Sequence, residues 1–379
     1  MKILVFSVAY SPFVGGAEIA VKEITDRITD TEFHLVTVNL DGQQKKEEKI
    51  GNVHVYRTGP SGMLGKLLFP FWGLSRALSL QKKHEFDATW AIMANYAGFS
   101  ALFFKYIKPK IPFILTLQEG DPIKYIKRQV WFLYPLFVQI FRKADRIQAI
   151  SNYLADFAES MKARVPIFVI PNGVDVSLFS REYSEVGLED LKSKVGKKPG
   201  DIFLITTSRL VTKNAIEDVI LSLQYLPENI SFLVLGIGEL DAKLRNLARS
   251  FGLEKRVKFL GSVSYKEIPK FLAVSDIFIR PSISEGMGNS FIEAMAMGVP
   301  VIATRVGGIP DFLEDHKTGL FCEVKNPQDI TEKVKEILVN TELQATVVKN
   351  AYDLVVKSYN WNLVAHRMKE EVFDFGATK

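Results

Sequence analysis

Short apolar runs alternate with helix-period segments from one end of this chain to the other. In the first half KILVFSV, FHLVTVN, VHVYRT, DATWAI, PFILTL, RIQAIS and PIFVIP read as strands. In the second half DIFLITTS, ISFLVLG, VKFLG, DIFIRP, PVIAT and GLFCE do. Most are continuous runs rich in Val, Ile and Phe, as expected of strands covered on both faces in a parallel sheet. Helical patterns lie between them, for example at 17–28, 98–107 and 152–161, and three more at 328–340, 342–357 and 361–375 finish the chain. The alternation predicts an α/β fold of two doubly wound, Rossmann-like domains. Their strand C-terminal ends, where ligands bind, are expected to face each other across a central cleft.

Length agrees, since 379 residues exceed what one hydrophobic core organises. A polar segment ending in GKKPG divides the halves. The expected boundaries are 1–175 for an acceptor-side domain, 176–200 for a linker, 201–357 for a second domain and 358–379 for a terminal helix. A single cysteine, Cys322, excludes a disulfide framework and fits a reducing compartment. The five histidines are scattered and show no ligand spacing, so no metal site is expected. Residues 88–104 are uncharged but fall short of the ~20 apolar residues of a membrane span, and read as a buried strand followed by a helix. The opening MKILVFSV lacks a small-residue cleavage site and reads as a first buried strand.

Charge is unevenly placed. Residues 1–175 carry 22 Lys/Arg against 16 Asp/Glu, whereas the remainder is nearly balanced. Two basic windows, 57–83 and 105–146, interleave lysines and arginines with Leu67, Leu68, Phe69, Phe71, Trp72 and the run VWFLYPLFVQIF. They fit either docking on an anionic membrane or acceptor, or ordinary helices with solvated faces. Nucleic acid is not an expected partner, because neither an aromatic-basic RNA-binding motif nor a Cys/His finger is present.

The candidate chemistry concentrates in 280–311, RPSISEGMGNSFIEAMAMGVPVIATRVGGIPD. Glu285 lies in a Gly-rich loop with no obvious basic neighbour. Glu293 follows after seven intervening residues, inside a short helix. Two carboxylates around a helix start with free N–H groups suit a ligand bearing phosphates and several hydroxyls. Ser290 to Glu293 also spells a capping box, in which Glu293 would merely cap its own helix. Arg209 and Lys213 share the loop after the first strand of the second half. There they can neutralise a diphosphate, and cations at a helix start are unfavourable without an anion between them. Gly15 and Gly16 open a helix after the first strand and permit close approach of a ligand. Gln118, Glu119 and Asp121 follow PFILTL, at the edge where sugar or acceptor contacts are expected. A dinucleotide GxGxxG is absent, because Asp241 replaces the third glycine after Gly236-Ile237-Gly238.

These residues resemble the signature of the group 1, or family 4, retaining glycosyltransferases of GT-B fold. SEGMGNSFIEAMAMGVPVIATRVGGIPD carries the likeness, together with GGAE, PNGVD, SRLVTKN, LVLGIGE and VKFLGSV in the same order. The resemblance implies that Arg209 and Lys213 hold the donor diphosphate. It implies that Glu285 binds the donor sugar beside Gly286, Met287, Gly288 and Asn289. Glu293 would bind ribose, and Ser290 and Phe291 would offer N–H groups to phosphate. Gly15 and Gly16 would approach the donor from the first domain, and the last helix would pack back on that domain. Two departures stand out: Gln118 replaces a frequent histidine, and Asn214 a frequent glycine. The expected activity is retaining, metal-independent transfer of a hexose-type sugar from a UDP- or GDP-sugar to a glycan or lipid-linked hydroxyl, without a resident cofactor. It would take place in the cytoplasm, at the inner face of the membrane. An epimerase or hydrolase of nucleotide sugars and a non-catalytic sugar-binding relative are the alternatives.

Overall fold

The computed structural model describes residues 1–376 apart from 14 and 182; Val14 of the first Gly-rich turn thus lies outside the described residues. The chain forms two compact units, 1–172 with 361–379 and 173–360.

The first unit is built on an eight-stranded sheet. Its strands are β1 Lys2–Phe6, β2 Glu32–Val38, β3 Glu47–Ile50, β4 Val53–Thr58, β5 Ala88–Ile92, β6 Phe113–Leu117, β7 Arg146–Ala149 and β8 Ile167–Val169. They lie in the order β3-β4-β2-β1-β5-β6-β7-β8. All neighbours are parallel except β3 and β4. β5 and β6 are buried throughout, which is why their sequences are unbroken apolar runs. Residues 88–104 form β5 and then the helix Tyr96–Ile107. β3 was not expected: EEKI is a charged edge strand, held by Arg57 on Glu48 and Arg76 on Glu47.

The second unit has six parallel strands, β9 Ile202–Thr207, β10 Ile230–Leu235, β11 Val257–Gly261, β12 Ile277–Arg280, β13 Val301–Thr304 and β14 Leu320–Cys322. Their order is β11-β10-β9-β12-β13-β14. Residues 176–200, expected as a linker, carry the helices Val176–Phe179 and Glu185–Val195 within this unit.

In each sheet the strand order reverses beside the unit's first strand: at β1/β5 in one and at β9/β12 in the other. Loops leaving the C-terminal ends of such strands diverge, and the crevice between them is where open α/β sheets bind ligands. The residues of interest leave β9 and β12.

The chain end completes the first unit. Trp361, Val364, Met368, Val372 and Phe373 are buried in one core with Ile3, Val5, Phe33 and Trp90. Arg146 fastens the segment by donating to the carbonyls of Glu371 and Asp374 at 2.9 and 2.6 Å. Among the described residues no helix is long and apolar enough to cross a membrane.

Candidate active site

The loop after β9 is folded on itself. Asn214 is buried and its amide donates to the Arg209 carbonyl at 2.7 Å, so the residue that replaces a glycine closes the 209–214 turn. Lys213 sits in the 3₁₀ turn Thr212–Asn214, half-buried, while Arg209 is exposed. The Lys213 carbonyl accepts from Ile283 N–H at 2.7 Å. That bond ties the cationic loop directly to the loop that carries Glu285. Behind it the 236–238 turn packs backbone against backbone. A Cβ on Gly236 or Gly238 would lie 1.9 Å from the Ser208 carbonyl oxygen or 2.3 Å from that of Leu210. These glycines serve loop packing, not a dinucleotide.

Glu285 has a basic partner after all. Arg280, the last residue of β12, is buried and reaches across the loop it begins. One Nη donates to Glu285 Oε2 at 2.8 Å and the other to Ser290 Oγ at 2.8 Å. The guanidinium also lies 4.2 Å over the Phe291 ring. A planar fork can hold two acceptors and stack at once, which a lysine cannot. Glu285 Oε1 accepts from Gly286 N–H at 3.0 Å, and the Glu285 carbonyl accepts from Gly308 N–H at 3.2 Å. Gly307, at φ +54°, passes so close that a Cβ there would lie 1.7 Å from the same carbonyl oxygen. The carboxylate is thereby fixed in direction, and its side chain is only 13% exposed.

The capping-box reading does not hold. The helix spans Asn289–Ala296 and its N-cap is Gly288, in the left-handed region with no side-chain cap bond. Ser290 is already inside the helix, which leaves its hydroxyl to Arg280 and Glu293 to another use. Glu293 is buried beside Arg280 and the Tyr265 hydroxyl, and burial pushes its carboxyl up to about 7. Burial likewise lowers the Arg280 guanidinium, against the pull of Glu285 and Glu293. Gly286 and Met287 are buried in the turn, and Asn289 opens the helix half-exposed. Near these groups, Thr207 Oγ1, Ser208 Oγ, Ser282 Oγ and Arg280 Nε are buried without a hydrogen-bond partner. Buried polar atoms are ordinarily satisfied, and those left at a ligand site are candidates for the ligand to satisfy. The loops leaving β9 and β12 thus join a turn that carries Arg209 and Lys213 to an oriented carboxylate, a protonatable carboxyl and a helix start.

In the first unit Gly15 is the extended N-cap of the helix Gly16–Arg27. A Cβ on it would fall 2.4 Å from Glu18 Oε2. Gln118 Oε1 accepts from Asn172 Nδ2 at 3.2 Å, and Asp121 is exposed. Glu119 departs from the expected edge contact. It turns inward, 6% exposed, where Oε1 accepts from Ala94 N–H at 2.6 Å and Oε2 has no partner. Desolvation pushes its carboxyl up to about 7. It braces the neighbouring β5 loop instead of presenting a carboxylate. Arg280, Tyr265 and Asn214 were not among the expected site residues. A charged residue ending the apolar run IFIR was the available signal for Arg280.

The sequence model of the glycosyl transferases group 1 matches residues 188–354, and that of glycosyltransferase family 4 matches residues 14–178. An uncharacterized glycosyltransferase of Methanocaldococcus jannaschii is 30% identical over 388 residues, covering 99% of each chain. The GDP-mannose-dependent alpha-(1-6)-phosphatidylinositol monomannoside mannosyltransferase of Mycobacterium tuberculosis is 25% identical, over 63% of this chain and 66% of its own. Among solved structures, Anabaena HepE in complex with UDP-glucose is similar in fold, with a TM-score of 0.83 at 21% identity over 99% of this chain and 100% of that one.

Proposed function

The chain belongs to the group 1 glycosyltransferases of family 4 type, and from that premise we propose that it transfers a hexose-type sugar, with retention, from a UDP- or GDP-sugar to a hydroxyl of a glycan or lipid-linked acceptor. One observation carries this reading: Arg280 holds Glu285 and Ser290 in one fork while the Ile283–Lys213 bond brings the cationic loop against the same turn.

As the glycosidic bond of the donor breaks, positive charge grows on the sugar and negative charge on the departing diphosphate. Arg209 and Lys213 stabilise the latter, helped by the Ser290 N–H at the helix start; Phe291 N–H, expected beside it, instead donates to the Gly288 carbonyl at 3.1 Å. Glu285 orients the sugar hydroxyls through a carboxylate that Arg280 holds in one direction. Glu293 takes the ribose hydroxyls, an exchange that suits a carboxyl poised near neutrality. Two side-chain cations do the work a divalent ion does elsewhere, so transfer proceeds in the presence of a chelator. The departing phosphate accepts the acceptor proton, which removes the need for a protein base.

The acceptor reading rests on the first unit. Trp131, Phe132, Phe71 and Trp72 are 74, 65, 63 and 48% exposed. They accompany Lys66, Lys124, Lys127 and Arg128, and the helices Gly62–His84 and Ile123–Gln129 contain no acidic residue. Such faces suit the inner, anionic leaflet of a membrane. The relative that acts on phosphatidylinositol monomannoside, by its name, has an acceptor of that kind.

A thermal-shift panel of UDP, GDP, ADP and their sugars identifies the donor, since a ligand stabilises the fold according to its affinity. Proton NMR of the product then reads the anomeric configuration. Donor turnover with no acceptor present would instead indicate an epimerase or hydrolase. An inverted product, or abolition of transfer by EDTA while circular dichroism shows the fold intact, overturns the mechanism.

A further inference from the structure

Three of the five histidines, scattered in sequence, are gathered in space. Glu32 and His34 lie at the start of β2, two residues apart and therefore on one face of the strand. His54 is paired with His34 in register across β4 and stacks on it at 5.0 Å. His84 ends the helix Gly62–His84, and its ring lies 4.2 Å from that of His34. His34 Nε2 meets Glu32 Oε1 at 2.5 Å, and Nδ1 meets the Tyr56 hydroxyl at 3.0 Å. One ligand atom each from Glu32, His34 and His84 falls within 4.8 Å of the other two.

We propose that Glu32, His34 and His84 form a site for a borderline divalent ion of the Zn²⁺ type. Two imidazoles and a carboxylate are the donor set such ions take, with a water in the fourth position. The Tyr56 hydroxyl accepts from Nδ1–H and fixes the tautomer that frees Nε2 for the metal, the outer-shell partner a ligating histidine needs. The ion takes the place between His34 Nε2 and Glu32 Oε1, and a proton held there is released to solvent as it binds. His34 is buried, and Glu32 is 41% exposed, so the ion has a way in. Lys2 is the competing cation: it acts on Glu32, and its ammonium lies 3.3 Å from the His84 carbonyl oxygen. Glu32 and His34 stand at the N-terminal end of their strand, the end away from the loops that carry Gly15 and Gln118. Metal here clasps a strand start to a helix end and is structural.

The test uses the full chain, stripped with a chelator and titrated with ZnCl₂ in a calorimeter. One ion per chain is expected, with a rise in melting temperature. Glu32→Gln and His84→Ala, both on partly exposed side chains, should each weaken binding at least about ten-fold and remove the melting shift. His316→Ala, which breaks a separate histidine–carboxylate group with Asp315 and Glu336, should leave both unchanged. No stoichiometric binding by the unsubstituted chain overturns the proposal. So does equal affinity in Glu32→Gln and His84→Ala, and circular dichroism on each variant separates lost ligation from lost fold.

Discussion

At the scale of single residues, two kinds of charged group occupy the candidate site and they should fail differently. Arg280 is buried with its partners, and removing one member of a buried pair strands the other. Arg280→Met is therefore expected to cost about 3–5 kcal/mol in urea unfolding. Lys213 is half-buried in a surface turn. Lys213→Ala should cost clearly less stability than Arg280→Met while removing most of kcat at saturating donor. Equal loss of stability in both variants would refute the division of labour. Glu119 gives a pH signature of its own. Its carboxyl titrates near 4.5 when unfolded and at about 7 in the native unit, so between those values the native state binds more protons and stability falls as pH rises. Glu119→Gln keeps an oxygen for Ala94 N–H and cannot ionise. Its stability relative to the unsubstituted protein should climb from pH 4.5 to 7.5 and then level off. Glu293 has the same direction of shift but is common to both proteins and cancels. A pH-independent difference would mean that Glu119 is ionised inside the fold.

At the scale of elements, the site is a product of how closely three turns pack. Gly307 makes this measurable, because an added Cβ meets the Glu285 carbonyl oxygen at 1.7 Å and the backbone is left-handed there. Gly200 shares the left-handed backbone, at φ +85°, but a Cβ on it meets nothing within 4 Å. Gly200→Ala should show backbone strain alone, about 1 kcal/mol. Gly307→Ala should lose clearly more and raise the donor KM by moving the Glu285 turn. Matching effects in both would mean that the contact is absent. The same elements show what the sequence discloses. Thirteen strands were legible as apolar-rich runs, most clearly β5 and β6, where burial on both faces leaves little room for polar residues; β8 and β11 are only partly buried. β3 was not legible, since EEKI owes its place to Arg57 and Arg76, residues recruited from other elements. The spacing of Glu285 and Glu293 was legible, but the role of Ser290 depended on where its helix starts. A shift of two residues turns a cap into a partner for Arg280, and sequence does not fix helix ends that finely. Glu119 reads as a turn residue because the N–H it satisfies lies 25 positions away.

At the scale of the whole molecule, the two units differ in how the chain supplies them. Residues 173–360 are continuous and contain their own core, from Leu204 and Ile216 to Ile337 and Val347. The first unit is interrupted. The chain leaves after Asn172 and returns at Trp361, and the two crossing points run side by side through the Val174–Asn360 bridge and the bond from Val174 N–H to the Tyr359 carbonyl at 2.7 Å. The returning segment fills the core: Trp361, Met368, Val372 and Phe373 are all buried, with Phe373 edge-on to Trp90 at 5.0 Å. At about 1.5–3 kcal/mol for each large buried side chain, these four contribute about 6–12 kcal/mol. That is comparable to the whole stability of a typical domain, about 5–15 kcal/mol. A fragment of residues 173–360 should therefore melt cooperatively, whereas residues 1–172 alone should bind a hydrophobic dye and show no sharp transition. Adding a peptide of residues 361–379 in trans should restore that transition, and the same peptide with Phe373→Ala should do so weakly. Cooperative melting of residues 1–172 without the peptide would show that the returning segment decorates a core already complete.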